Sequence, residues 1–371
     1  MPLRSYDFAN PTIVWRKYFD MMAIEKRRRG ASQRVTIRDV AAAAGVSPMT
    51  VSRVINKLDN VTDETRTAVQ AAIEKLNYSP SHVARSLAGL DHYRIGVLYS
   101  NPSAAFLSEF LLGALNECRK TGHQLLVEQC GSSLQSEKAA LERLLASGVD
   151  GLILPPPLCE TRSILVRIEK AGVPMVAVAS GQGSTQWAAV RIDNYKAARK
   201  MTQHLLQLGH TRLGFIKGHP NQSVSNQRLQ GFVDVLHEAG IEPDANLIEQ
   251  GYFDYRSGMA AAEKLLHRPN RPTAIFAAND DMAAATVAVA TRLGLQVPRD
   301  LSVSGFDDTP ISSIIYPTLT TIRQPIAAMG RSAIDMLLSE VKRLREKEGR
   351  PPMMEMLSYA LIKRESTGPV R

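Results

Sequence analysis

Three cysteines, Cys118, Cys130 and Cys159, are all the thiols in 371 residues, and none belongs to a CxxC or Cys/His pair. So sparse and odd a set excludes a disulfide framework and a zinc-thiolate site; it reads as idle thiols in a reducing compartment. No apolar run approaches the roughly 20 residues of a membrane-spanning helix, and the N-terminus lacks a signal-peptide core. GxGxxG and GxxxxGK[ST] phosphate loops are also missing, and Gly181-Gln182-Gly183 is too sparse to replace one. Without HExxH or GxSxG, metalloprotease and hydrolase chemistry have no anchor. The expectation is no enzyme, no cofactor, no metal, no membrane and a cytoplasmic location. The scattered histidines, His204 and His210 among them, read as structural.

What is present is an ordinary globular balance, 44% hydrophobic and 22% charged, in a chain long enough for two or three cores. The net charge of +9 is unevenly spread. Residues 1–92 carry fourteen Lys/Arg against nine Asp/Glu, a net of +5, and the remaining 279 residues supply only +4. The front quarter is where a polyanion would be met.

The stretch from Val35 to Leu90 organises the rest. Thr36 with Asp39 forms a capping-box-like start to a helix, Val40, Ala41 and Ala44 fall on one face, and Gly45 stops it. Ser47 caps a second helix that opens on Pro48, the helical slot that loses nothing by lacking an N–H. A helix, a glycine turn and a second capped helix make a helix-turn-helix. The second helix turns Val51, Val54 and Ile55 inward and Met49, Thr50, Ser52, Arg53 and Asn56 outward. An Arg fork matches guanine in a major groove and short hydroxyls reach phosphates; a small hairpin with a solvated face is the plainer alternative. Thr62 caps a third helix with Asp63 and Glu64 at its positive end and Val69, Ile73 and Leu76 inward. After the breaker Asn77-Tyr78-Ser79-Pro80, the segment 81–88 is too short to be helical alone.

These residues, VTIRDVAAAAGVSPMTVSRVINKLDNVTDETRTAVQAAIEKLNYSPSHVARSLAG, resemble the DNA-binding domain and hinge of the LacI/GalR family of bacterial transcription regulators. The resemblance implies DNA contacts from Thr36, Ser47, Pro48, Met49, Thr50, Ser52, Arg53, Asn56, Tyr78, Arg85, Leu87 and Ala88, with Leu87 wedged into the minor groove at the operator centre. Residues 1–33 match nothing in the family. They read as a disordered leader, or as an overcalled start before Met21 or Met22, with Lys26-Arg27-Arg28-Arg29 an alternative basic arm.

From Tyr93 the texture becomes strands alternating with helices, first through PMVAVA and again after Ile192. Continuous apolar strands with helical crossovers predict parallel sheets covered on both faces. TTIRQP and the helix after it return the chain to the first lobe. Two doubly wound lobes place a ligand at their strand ends, in the cleft between them, with Pro155-Pro156-Pro157 a stiff loop at its mouth. The expected architecture is multi-domain: an all-α helix-turn-helix DNA-binding domain (34–80), a hinge helix and linker (81–92), and an α/β two-lobed, periplasmic-binding-protein-like effector and dimerisation domain (93–371).

Through about Thr367 the resemblance continues, and it implies an effector set of Phe106, Arg228, Phe253, Asn279, Asp307 and Gln324. A planar five-donor fork at Arg228 suits hydroxyls or a carboxylate, and Phe253 would pack a pyranose face. Their plainer readings are a solvated helix charge for Arg228 and a core ring for Phe253; Asp280 and Asp308 read as helix caps or turn formers. Many sugar-binding members carry an acidic residue where this chain has Ala179.

The resemblance therefore implies a repressor of a carbohydrate-use operon, a homodimer on a palindromic operator, controlled by a sugar or sugar derivative. A purine effector, a protein co-effector, or an enzyme with an appended DNA-binding domain are the alternatives. No leucine heptad follows MLSYALIKR, so a dimer rather than a tetramer is expected.

Overall fold

The computed structural model describes residues 35–55, 61–76, 78, 92–100, 102–131, 133–181, 186–346, 349 and 351–370. The chain divides into two compact units, Met1–His92 and Tyr93–Arg371.

In the first unit, α1 (Ile37–Ala44), α2 (Pro48–Ile55) and α3 (Asp63–Lys75) surround Val40, Ala41, Val51, Val54, Val69 and Ala72. The Thr36 amide and hydroxyl both donate to the Asp39 carboxylate at 2.7 Å. Gly45 ends α1 at φ 67°, where a side chain would be strained. The Ser47 hydroxyl accepts from the Thr50 amide at 3.1 Å, which caps α2 ahead of Pro48. Tyr78 is only 8% exposed and packs with this core. Its ring thus has a structural role that the sequence reading did not assign. Asn56, Arg85, Leu87 and Ala88, the 1–33 leader and the 81–88 hinge helix lie outside the described residues.

The second unit begins with β1 (Arg94–Tyr99), α4 (Ala104–Thr121), β2 (Gln124–Gln129), α5 (Leu134–Ala146), β3 (Gly151–Leu154), α6 (Arg162–Ala171), β4 (Met175–Val178) and β5 (Ala188–Arg191). There follow α7 (Asn194–Gln207), β6 (Leu213–Lys217), α8 (Ser223–Glu238), β7 (Ile248–Gln250), α9 (Tyr255–Leu266), β8 (Ala274–Ala277), α10 (Asp280–Arg292) and β9 (Ser302–Ser304). Last come α11 (Ile311–Ile314), β10 (Thr321–Arg323), α12 (Ile326–Arg345), β11 (Met354–Met356) and β12 (Ala360–Ile362).

The first lobe holds a parallel sheet in the order β11-β5-β4-β3-β1-β2, the second one in the order β7-β6-β8-β9, and β10 pairs antiparallel with β12. The chain passes between lobes three times: after β5, between β10 and α12, and between β11 and β12. Strands β1, β3 and β4 are buried along most of their length, as a sheet covered on both faces requires. Strand β2 departs from that expectation: it is an edge strand with Gln124, Val127 and Gln129 exposed. Helix α12 packs on α4 through glycines. A Cβ on Gly113 would lie 2.1 Å from the Ala327 carbonyl oxygen, and one on Gly330 would lie 2.4 Å from that of Phe110.

Cys118, Cys130 and Cys159 are buried, and burial raises all three thiols, Cys130 to about 11. His204 bonds Thr367, and His210 bonds Thr273, Ser302 and the Gly368 carbonyl, so both are ties within the lobe. Among the described residues no helix is long and apolar enough to cross a membrane.

Candidate functional site

All six residues expected to meet an effector line one slot: Phe106, Arg228, Phe253, Asn279, Asp307 and Gln324. They come from six separated stretches, which β/α alternation brings together because each lobe presents its strand ends to the other. Phe106 is the first-lobe wall, from the first turn of α4. Asn279 follows β8, Asp307 lies three residues past β9, and Gln324 follows β10.

Arg228 lies in the second turn of α8, which begins at Ser223. Nor is it a solvated charge. It is 5% exposed, with Nε donating to Asn194 Oδ1 at 2.9 Å and Nη1 to the Ala278 carbonyl at 2.5 Å. The guanidinium stacks 3.6 Å from the Phe306 ring centroid, and Nη1 is 3.7 Å from an Asp307 oxygen. Nη2 makes no hydrogen bond among the described residues. Burial lowers Arg228 to about 10 despite the Asp307 charge.

Asp307 accepts from Gln324 Nε2 at 2.6 Å on one oxygen. Burial raises its carboxyl to about 7, while Arg228 and then Gln324 draw it back down. Gln324 thus orients Asp307, and Asn279 is similarly committed. Asn279 Oδ1 accepts from the Met282 amide, making Asn279 the cap of α10, and its Nδ2 donates to the Phe253 carbonyl at 2.9 Å. The cap reading given to Asp280 was one residue off. Asp280 is buried and ties Thr309 and Thr321 together instead. Asp308 pairs with Arg323 and Arg364 and accepts from Ser312.

The Phe253 ring packs against Gly218, where a Cβ would come within 1.9 Å of its Cζ. It is 5% exposed, so it is both a core ring and a wall of the slot. Ala179, Phe253 and Asp307 hold positive φ of 52°, 64° and 112°. Such conformations cost about 1–3 kcal/mol each and gather where a site demands them. Sequence reasoning missed Ser103, Val224 and Gln222, which also line the slot. Gln222 is 3% exposed, and its Nε2 has no hydrogen-bond partner among the described residues. Its only sequence signal was a polar loop ahead of a helix, too common to single out.

On α2, Met49 is 67% exposed, Arg53 is exposed, and Thr50 and Ser52 are half-buried. Arg53 has no ion-pair or hydrogen-bond partner among the described residues, which leaves its fork available. Arg53→Ala is expected to reduce discrimination between operator and scrambled DNA by about 1–3 kcal/mol, with the oligomer unchanged. Competition binding in a fluorescence-anisotropy assay checks this. Unaltered discrimination would remove Arg53 from the reading face.

Residues 36–81 match the bacterial regulatory proteins of the lacI family, and residues 202–367 match the periplasmic binding protein-like domain. The chain is 36% identical over 335 residues to the HTH-type transcriptional repressor PurR of Escherichia coli O139:H28 (strain E24377A / ETEC), covering 88% of this chain and 97% of that protein. The lac repressor dimer bound to operator and the anti-inducer ONPF superposes with a TM-score of 0.77 at 32% identity, over 91% of this chain and all of that one. The complex of the transcriptional regulator CelR with cellobiose gives 0.68 at 32% identity, over 90% of this chain and all of that one. The chain belongs to the LacI family of bacterial regulatory proteins and is a DNA-binding transcriptional repressor, not an enzyme.

Proposed function

We propose that this repressor controls carbohydrate-use genes and that a sugar or sugar derivative, held between the two lobes, sets its affinity for a palindromic operator. The carrying observation is that uncommitted polar atoms converge on an aromatic-walled slot. Among the described residues, Arg228 Nη2 and Gln222 Nε2 have no acceptor and the second Asp307 oxygen has no donor. Donors and an acceptor between Phe106 and Phe253 suit vicinal hydroxyls on a ring with apolar faces. CelR bound to cellobiose, a neighbour at 32% identity, supports the same reading. A purine is the second reading, favoured by the two aromatic walls and the 36% identity to PurR.

The slot is lined by both lobes, so a ligand seated there bears on the angle between them. A ligand that binds one lobe arrangement more tightly shifts the population toward it. A hinge segment too short to be helical alone would order or melt with that shift. Calorimetric titration of sugars, sugar phosphates and purines, with and without operator, tests this. Effector and operator must change each other's affinity by the same factor. Equal effector affinity in both titrations would disconnect the slot from DNA.

Asp307 supplies a pH signature. A carboxyl raised to about 7 is mostly protonated at pH 6 and ionised at pH 8. Only the ionised form offers a full acceptor, so effector affinity should rise roughly tenfold over that interval. The linkage to folding has the opposite sign. The folded state holds an extra proton between the ordinary carboxyl range and pH 7, so this group's contribution to stability falls as pH rises through that window. Asp307→Asn should flatten both dependences; a persistent pH effect on effector affinity would assign it to another group.

The assembly is proposed as a homodimer. Ile314 and Tyr316 are 77% and 86% exposed, large apolar side chains of the kind a partner subunit covers. Tyr316→Asp should raise the dimer dissociation constant at least tenfold in sedimentation velocity, while a parent tetramer at micromolar concentration would contradict the dimer.

A further inference from the structure

A pocket of about 470 Å³ opens at the end of the second lobe that faces away from the slot. The slot residues Asn279 and Asp307 follow strands β8 and β9, whereas this pocket is lined by residues that precede the strands of the same sheet. Arg212 comes just before β6, Arg271 before β8, and Arg299 and Asp300 before β9. Because these strands run parallel, the pocket sits at the opposite edge of the sheet and is no part of the cleft. Its volume falls within the range of about 300–1,000 Å³ usual for small-molecule sites.

The charge of the pocket is one-sided. Three guanidiniums line it against a single carboxylate, that of Asp300. Each arginine is fixed through part of its fork. Arg212 Nε donates to the Asn270 carbonyl at 2.6 Å, and its Nη2 lies 3.4 Å from Asp244. Arg271 Nη1 donates to the Asp300 carbonyl at 2.8 Å, and Arg299 Nε lies 3.5 Å from the Asp300 carboxylate. Arg212 Nη1, Arg271 Nη2 and both Nη atoms of Arg299 have no acceptor among the described residues. Asp300 is itself engaged, since its carboxylate accepts from the Gln296 amide at 2.8 Å; that bond, with Arg299 and Arg271 nearby, holds it below the ordinary carboxyl range. His210 contributes no charge. It is buried, burial lowers its pKa, and its ring nitrogens are taken by Thr273, Ser302 and the Gly368 carbonyl. Pro269, Pro298 and Val370 add apolar wall.

We propose that this pocket is a second ligand site, for a small phosphorylated metabolite whose phosphoryl oxygens meet Arg271, Arg299 and Arg212 and whose carbon skeleton lies on the prolines. A planar fork presents paired N–H groups to two oxygens of a tetrahedral dianion at once, a match no neutral hydroxyl offers. Tying together the loops before β6, β8 and β9 accounts for the carbonyl bonds of Arg212 and Arg271. It leaves the outward edges of all three forks, and Arg299 as a whole, without a task. The side chains of Arg212 and Arg299 are 39% and 52% exposed, so solvent screens the contacts and a moderate affinity is expected. The site stands whatever the cleft holds, and it makes the second lobe responsive to a second small molecule.

The test is isothermal titration of the full-length protein, without DNA and at fixed ionic strength, with glucose 6-phosphate, AMP and inorganic phosphate. Glucose and adenosine serve as the uncharged parents. At least one phosphate ester should bind about tenfold or more tightly than its parent. Arg271→Ala and Arg299→Ala should each weaken that binding several-fold, Arg299→Glu should abolish it, and Arg228→Ala, in the slot, should leave it unchanged. Arg299 makes one long surface ion pair, so its variants should keep the parent's Tm and report on binding alone. Inorganic phosphate binding as tightly as the esters would support the site and assign its affinity to the phosphoryl group. Failure of all three to bind in the millimolar range, binding unweakened by Arg271→Ala and Arg299→Glu, or binding lost in Arg228→Ala would each overturn it.

Discussion

Arg228→Ala is expected to bind operator as the parent does and to lose its response to effector, with effector affinity down about two to three orders of magnitude, or ~2.7–4 kcal/mol. The size follows from burial. In this dry site the guanidinium holds Asn194, the Ala278 carbonyl and the Phe306 face, and its Nη1 lies 3.7 Å from Asp307. Truncation removes the donor and also leaves Asp307 without its counter-charge. The protein would answer by protonating Asp307, already raised to about 7, so the cost to folding stays below that of a stranded charge. Arg228→Lys should recover little, since an ammonium point charge cannot reproduce a fork stacked on Phe306. Operator-binding curves with and without effector decide the matter. An undiminished response in Arg228→Ala would mean the effector acts elsewhere.

The second large effect is on stability. Gly113→Ala should cost about 3 kcal/mol and lower Tm by roughly 6–12 °C. The new methyl would sit 2.1 Å from the Ala327 oxygen and 2.9 Å from its Cα, against backbone that cannot rotate away. Helices α4 and α12 would have to separate, loosening Phe110, Ala114, Met329 and Ala333, all buried at that contact. Gly330→Ala meets Phe110 and Ala114 backbone from the other side and should behave alike. Gly349→Ala, with nothing near its Cβ, is the control. A calorimetric scan of Gly113→Ala matching the parent would show that the helices do not pack this closely.

Local patterns carried the first unit almost completely, because caps and glycine stops act within four residues: Thr36 with Asp39, Gly45, and Ser47 with Pro48. The alternating lobes were legible for the same reason, since apolar strands and amphipathic helices announce themselves. Strands β5 and β7 did not. One is a four-residue AAVR and the other a polar IEQ, and each becomes a strand only through the neighbour it pairs with. The six slot residues came from family resemblance, and no pattern in the sequence joins Phe106 to Gln324. Which atoms of Arg228, Asn279 and Gln324 are already engaged depends on partners such as Asn194, the Ala278 and Phe253 carbonyls and Asp307, which only the folded chain brings together, and could not be read beforehand.

The three passages between lobes also govern the order in which the protein can be made. The first lobe starts at β1, but its long covering helix α12 and its edge strand β11 are translated only after every strand of the second sheet has been synthesised. Before then the nascent first sheet lacks the helix that covers β3, β4 and β5, and its apolar face is open to chaperones or to aggregation. The second sheet, β6 to β9, comes from one continuous stretch and can close while synthesis is still under way. A premature stop near residue 320 would therefore leave a folded second sheet attached to an unfinished first lobe. That half-built lobe belongs among the substrates of protein quality control and would never reach an operator.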